Sequence, residues 1–147
     1  MQLRSYAIAA AAACLCLSTA VAQEDVIAAR QKLMKENGQS AGALGAIAKG
    51  EKPYDATVVK TALTTISTNI KAFPEQFPAG SDKGKTNALP AIWEKPDDFR
   101  ALATKLGSEA DALLASMPAD KAGVAAALGR LGPICSDCHK TYRAPMN

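Results

Sequence analysis

Long hydrophobic runs, aromatic rings, histidine and charge of one sign are all scarce in this chain of 147 residues. The longest apolar run, Ala7 to Leu17, falls well short of the ~20 residues that a membrane-spanning helix needs. Aromatics make up 5% of the chain, and alanine is abundant, which disfavours a β-sandwich and suits helices. A single histidine, His139, excludes any site that needs two imidazoles from one subunit. The 17 basic and 14 acidic residues are interspersed and leave a net charge of +3, which lacks the basic stripe of a nucleic-acid binder. At 48% hydrophobic and 21% charged, the chain is not a disordered polymer, and its length suits one domain with a real core.

The N-terminus reads as a secretory leader, Met1–Ala22. Arg4 gives the positive start, Ala7–Leu17 the short apolar stretch, and Ala20-Val21-Ala22 the small-x-small cleavage site. Polar Gln23-Glu24-Asp25 follows at once, which argues against a retained anchor. Cleavage leaves residues 23–147 as a single domain, removes Cys14 and Cys16, and takes one positive charge with Arg4. The mature chain is then expected in the periplasm, without membrane insertion, and with two cysteines, Cys135 and Cys138.

Four helical stretches organise that domain. From Val26 to about Lys49, Val26, Ile27, Leu33, Met34, Leu44 and Ile47 recur at helical intervals, and Gly50 and Pro53 supply the stop. Gly38, Gly42 and Gly45 inside this stretch would allow another backbone or a flat ligand to come close. Asp55 caps a second helix reaching about Phe73. Pro74–Lys95 is a long connection in which Leu89, Ile92 and Trp93 tuck a short turn onto the core. Pro96-Asp97-Asp98 starts a third helix that ends near Met117-Pro118. Asp120 caps a fourth, where Pro133, beside Gly129 and Gly132, is expected to kink or loosen it. No strand pattern competes. The fold expected is all-α, an antiparallel four-helix bundle with a long loop between helices 2 and 3.

The chemistry gathers at Cys135-Ser136-Asp137-Cys138-His139, the C-x-x-C-H sequence for covalent haem c attachment. On a helix, positions i and i+3 share a face, so both thiols can add to the two vinyl groups along one haem edge. His139, one residue on, can bind the iron beneath the ring. A thioredoxin-like pair lacks its βαβ setting, and zinc would be a ligand short. The neutral soft donors left for the sixth iron position are Met34, Met117 and Met146. Met146 is only seven residues past His139 and Met117 sits in a turn, whereas Met34 lies on the apolar face of the first helix. A methionine at such a position is ordinarily core filler; the haem motif and the missing second histidine make it a candidate axial ligand.

A haem motif on the last helix of a four-helix bundle, ending in Tyr142-Arg143, resembles the cytochrome c-prime family, the class II cytochromes c. The stretches Gln31–Gly38 and Leu44–Asp55 are most similar to its low-spin cytochrome c-556 branch. The resemblance implies that Met34 binds iron in a low-spin carrier. The alternative is a five-coordinate, high-spin protein binding nitric oxide or carbon monoxide, and Arg30 resembles an arginine common in that branch. Arg143 resembles the family's proximal basic residue, which implies contact with the haem surroundings. A homodimer through the first helices is a further implication. With His/Met ligation the iron is low-spin and its filled shell suits one-electron transfer to redox partner proteins. No nucleophile, base or metal cluster stands apart from the haem motif, so the reading is a carrier and not an enzyme. Lys32, Lys35, Lys49, Lys52 and Lys140 are candidates to steer acidic partners. A haem-free helical interaction protein is the third reading, and the motif opposes it.

Overall fold

The computed structural model describes the backbone of residues 3–145 and the side chains of residues 25–145. The expected leader, Met1–Ala22, lies outside the described side chains, and Met146 lies outside the described residues. The helices are α1 (Leu3–Lys49), α2 (Ala56–Ala72), α3 (Ala91–Glu94), α4 (Pro96–Ala115) and α5 (Lys121–Tyr142), with a 3-10 turn at Phe73–Gln76. The four long helices make the expected bundle: α1 packs on α2 and α5, and α4 packs on the same two. Among the described residues there is no strand, only an isolated antiparallel bridge between Ala88 and Arg143.

Short connections force neighbours to run antiparallel, and local chemistry sets where each helix stops. Gly50 takes φ +80, a left-handed turn that favours glycine, while its N–H donates to the Ile47 carbonyl at 2.9 Å. The Asp55 carboxylate accepts from the N–H groups of Thr57 and Val58 at 2.8 and 3.1 Å, and Asp120 accepts from that of Gly123 at 2.7 Å. Both caps satisfy amides that helix starts leave unpaired. The Tyr54 hydroxyl donates to the Pro118 carbonyl at 2.8 Å, so the α1–α2 and α4–α5 connections share one end of the bundle. The long α2–α4 connection and the C-terminus of α5 share the other.

Leu44, Ile47, Val59, Leu63 and Val124 are almost completely buried and form the centre of the core. Toward the loop end the core becomes aromatic. Phe77 packs edge-on against Phe73 and Phe99 with centroids 5.0 Å apart in each pair, and Phe99 packs against Tyr142 at 5.2 Å. Ile92 of α3 is buried, so the expected short turn onto the core is a short helix.

Helix α5 runs from Lys121 to Tyr142 with Pro133 inside it. Gly129, whose carbonyl loses its amide partner four residues on, is exposed, as are Gly132 and Pro133, so water can take up the freed carbonyl. One local expectation is corrected in part: no other backbone of the described chain comes close to Gly38, Gly42 or Gly45, where an added Cβ would meet nothing within 4 Å.

A polar tie joins α2 to α4. Asp111 accepts from the Lys71 ammonium and from the Ser67 hydroxyl, each at 2.6 Å. Lys71 first, and then Ser67, hold the Asp111 carboxyl below its ordinary range. A carboxylate depressed in the folded state adds stability once it is ionised, and that stability is lost as pH falls through its folded value. Asp111→Asn is therefore expected to lower the urea midpoint modestly at neutral pH and to flatten its decline in acid. Parallel urea titrations at neutral and acidic pH check both effects; an equally steep acid limb would place the linkage elsewhere.

Candidate functional site

The last turns of α5 carry Cys135, Cys138 and His139, and all three are half-buried. Both cysteines are free thiols that pack against the apolar core, so the structure holds no disulfide here. Burial pushes the Cys135 thiol up, and burial together with Cys135 pushes Cys138 up to about 11. Neither thiol is depressed in the way a redox-active cysteine pair requires. Burial, followed by the charge of Arg143, lowers the His139 pKa and keeps its imidazole in the neutral form that a metal requires. Among the described residues no three His, Cys, Asp or Glu side chains gather closely enough to hold a metal ion.

Arg143 follows α5, and its N–H donates to the His139 carbonyl at 3.2 Å. Its Nε is buried with no hydrogen-bond partner. A buried guanidinium N–H left unpaired is costly, and a carboxylate is the partner such a group favours. On α1, the Asn37 Oδ1 is also buried without a partner, three residues past Met34.

The ends of the bundle define the levels of the other candidates. Gly50 lies against Lys121, where an added Cβ would stand 3.2 Å from Nζ. From that contact Met34 is sixteen residues back along α1 and His139 eighteen residues along α5, about 24 and 27 Å at 1.5 Å per residue. Helices α1 and α5 pack side by side and antiparallel, so Met34 and the Cys138–His139 turn stand at one level. Met34 is half-buried and packs against the same core cluster as the two cysteines. Met117 also packs on the core, but beside Pro118, at the opposite end.

The lysines divide in the same way. Lys49 and Lys52 lie at the Gly50 end, while Lys32, Lys35 and Lys140 lie toward the site. Lys32 pairs with Glu36 at 2.5 Å, and Lys140 with Asp137 at 3.4 Å.

The setting of Arg30 is what sequence reasoning missed. It is 3% exposed and turned toward the long loop, donating to the Ser81 carbonyl at 2.9 Å and to the Thr86 hydroxyl at 2.8 Å. The available signal was a charged residue at helical spacing between Ile27 and Met34, on the apolar stripe itself.

A four-helix bundle with C-x-x-C-H on the closing turns of its last helix is the architecture of a bundle-type c cytochrome. The family model described as Cytochrome C' matches residues 25–143, and the chain belongs to that family. It is 54% identical over 143 residues to cytochrome c-556 of Agrobacterium fabrum (strain C58), covering 97% of each chain. Cytochrome c' from Rhodopseudomonas palustris superposes with a TM-score of 0.79 at 36% identity, over 84% of this chain and 98% of that one. An NMR-validated structural model of oxidized R. palustris cytochrome c556 gives 0.76 at 32% identity, over 84% and 99%. Members of the family carry covalently attached haem c, and the chain is accordingly a haem protein of the electron-carrying or haem-ligand-binding kind. Among the described residues no helix is long and apolar enough to cross a membrane.

Proposed function

We propose that this protein is a periplasmic one-electron carrier with a low-spin haem c, exported by a leader cleaved after Ala22. Cys135 and Cys138 hold the haem through thioethers, and His139 and Met34 are the axial ligands. The residues fit the group: two thiols one turn apart on a helix, an imidazole beside them whose pKa burial lowers, and an unpartnered buried Nε on Arg143 that a haem carboxylate would satisfy. When bound, haem supplies reversible one-electron chemistry at its iron.

The observation that carries the reading is the shared level of Met34 and His139 on two packed helices, together with the placement of Met117 at the far end. Neighbouring helix axes stand roughly 8–10 Å apart, so side chains from α1 and α5 can converge on one ring. Burial, and then Arg143, lower the His139 pKa, which favours the unprotonated ring that iron would bind. Ligands on packed helices move little between oxidation states, which suits electron exchange. Arg143 fixes charge beside His139 and would favour the reduced, less positive iron. At the site end Lys32 and Lys140 are ion-paired with Glu36 and Asp137, which leaves Lys35 as the main candidate there to attract an acidic face on a redox partner protein.

Carbon monoxide tests the reading. The ferrous, haem-loaded protein is expected to form no rapid adduct at neutral pH, because Met34 fills the sixth position. Rapid adduct formation would remove Met34 as a stable ligand and establish a five-coordinate gas binder in its place.

A further inference from the structure

Arg30 is the one charged side chain among the buried residues of the described structure. Its hydrogen-bond partners within the chain are all neutral. Nη1 donates to the Ser81 hydroxyl at 3.3 Å and lies 3.5 Å from the Gln76 carbonyl; Nη2 donates to the Ser81 carbonyl at 2.9 Å and the Thr86 hydroxyl at 2.8 Å. The guanidinium also lies over the rings of Phe77 and Trp93, 4.7 and 5.7 Å from their centroids. Burial lowers its pKa. A cation in such a place is expensive, and a fork of hydrogen bonds with two ring faces is what offsets that cost.

The loop that Arg30 holds is stitched at its other side to the end of α5. The Leu89 N–H donates to the Tyr142 carbonyl at 3.0 Å, and the Ala144 N–H to the Asn87 carbonyl at 2.8 Å. Thr86 joins the two halves, because its hydroxyl oxygen accepts from Arg30 and also from the Ala88 N–H at 3.1 Å. The path therefore begins one helical turn before Met34 and ends three residues after His139. Along this path α1 and α5 are joined through directional bonds, whereas side-chain packing along the bundle permits small slides.

We propose that Arg30 is a positioning residue for the iron's sixth ligand. By clamping the loop to α1, and through it to the end of α5, it fixes the span between the Met34 turn and the His139 turn and holds the Met34 sulfur at bonding distance. This inference rests on the His139/Met34 reading above. A looser span raises the fraction of molecules with Met34 off the iron, and carbon monoxide entry rises in proportion to that fraction.

The experiment uses haem-loaded wild type, Arg30→Met, Thr86→Val and Met34→Ala, with the double variant Arg30→Met/Met34→Ala. Thr86→Val interrupts the same path without touching α1, and serves where Arg30→Met fails to fold. Amide exchange at Leu89 and Ala144 is expected to quicken in both path variants. Carbon monoxide is expected to bind ferrous Arg30→Met about tenfold faster than wild type, and Thr86→Val faster by a smaller factor. In the Met34→Ala background Arg30→Met should add nothing to the rate. Unchanged exchange at Leu89 and Ala144 would overturn the clamp whatever ligand the iron carries. Faster exchange with a wild-type carbon monoxide rate would reduce Arg30 to a loop anchor and overturn its positioning role. Wild type already as fast as Met34→Ala would instead sink the axial assignment, which separates the two failures.

Discussion

Met34→Ala is expected to turn a low-spin iron without a free position into a high-spin iron that takes carbon monoxide rapidly. His139 is the lone histidine of the chain, and Met117 stands at the far end of the bundle, so among the described residues no other methionine can step into the vacated place. The cost to the fold should be smaller than the ~2–5 kcal/mol of removing a fully buried methionine, because Met34 is only half-buried. Thermal unfolding followed by circular dichroism should therefore show a bundle that still melts cooperatively. The optical and EPR spectra should change character even so. Loss of the thioether sulfur should also lower the reduction potential, since methionine favours ferrous iron. A spectrum that stays low-spin in a folded Met34→Ala protein would exclude Met34 as the ligand.

The parts of the molecule legible in the sequence are those set by local chemistry. Asp55 and Asp120 announce helix starts because a short acidic side chain answers amides two or three residues on, and both caps form. The Cys135/Cys138/His139 spacing is equally local, and a helix of regular pitch places the thiols on one side. The level of Met34 against His139 was not legible. It depends on two connections sharing a bundle end, which the Tyr54–Pro118 bond and the Gly50–Lys121 contact reveal. How the helix accommodates Pro133 was not legible, because the penalty of proline depends on whether the freed carbonyl meets water, and the exposure of Gly129 is a tertiary fact. Arg30 read as a family marker, since nothing near it in sequence shows that Ser81 and Thr86, more than fifty residues on, complete its hydrogen bonds. The long connection offered turn residues and an expected tuck, but its pairing with Tyr142 and Ala144 is non-local.

The largest effect on the cofactor is expected from losing both thiols. In Cys135→Ala/Cys138→Ala the haem should be removable by acidified organic solvent, leaving a colourless chain with the mass of the polypeptide alone. A tethered ligand that leaves the iron rebinds at an effective concentration on the order of millimolar, whereas a free one is diluted away. Retention in the double variant should thus fall on dilution, while the wild type keeps its colour at any concentration. Each single variant should retain one thioether and stay coloured after extraction, with its ferrous absorption band at longer wavelength because one vinyl group remains conjugated to the ring. Both cysteines are half-buried against the core, so alanine at either position leaves a small void and costs little of the fold. Mass spectrometry of acid-extracted wild type and variants decides the matter. Haem that stays covalently attached in the double variant would show that the link runs through some other residue, and haem extractable from wild type would show that Cys135 and Cys138 form no thioethers at all.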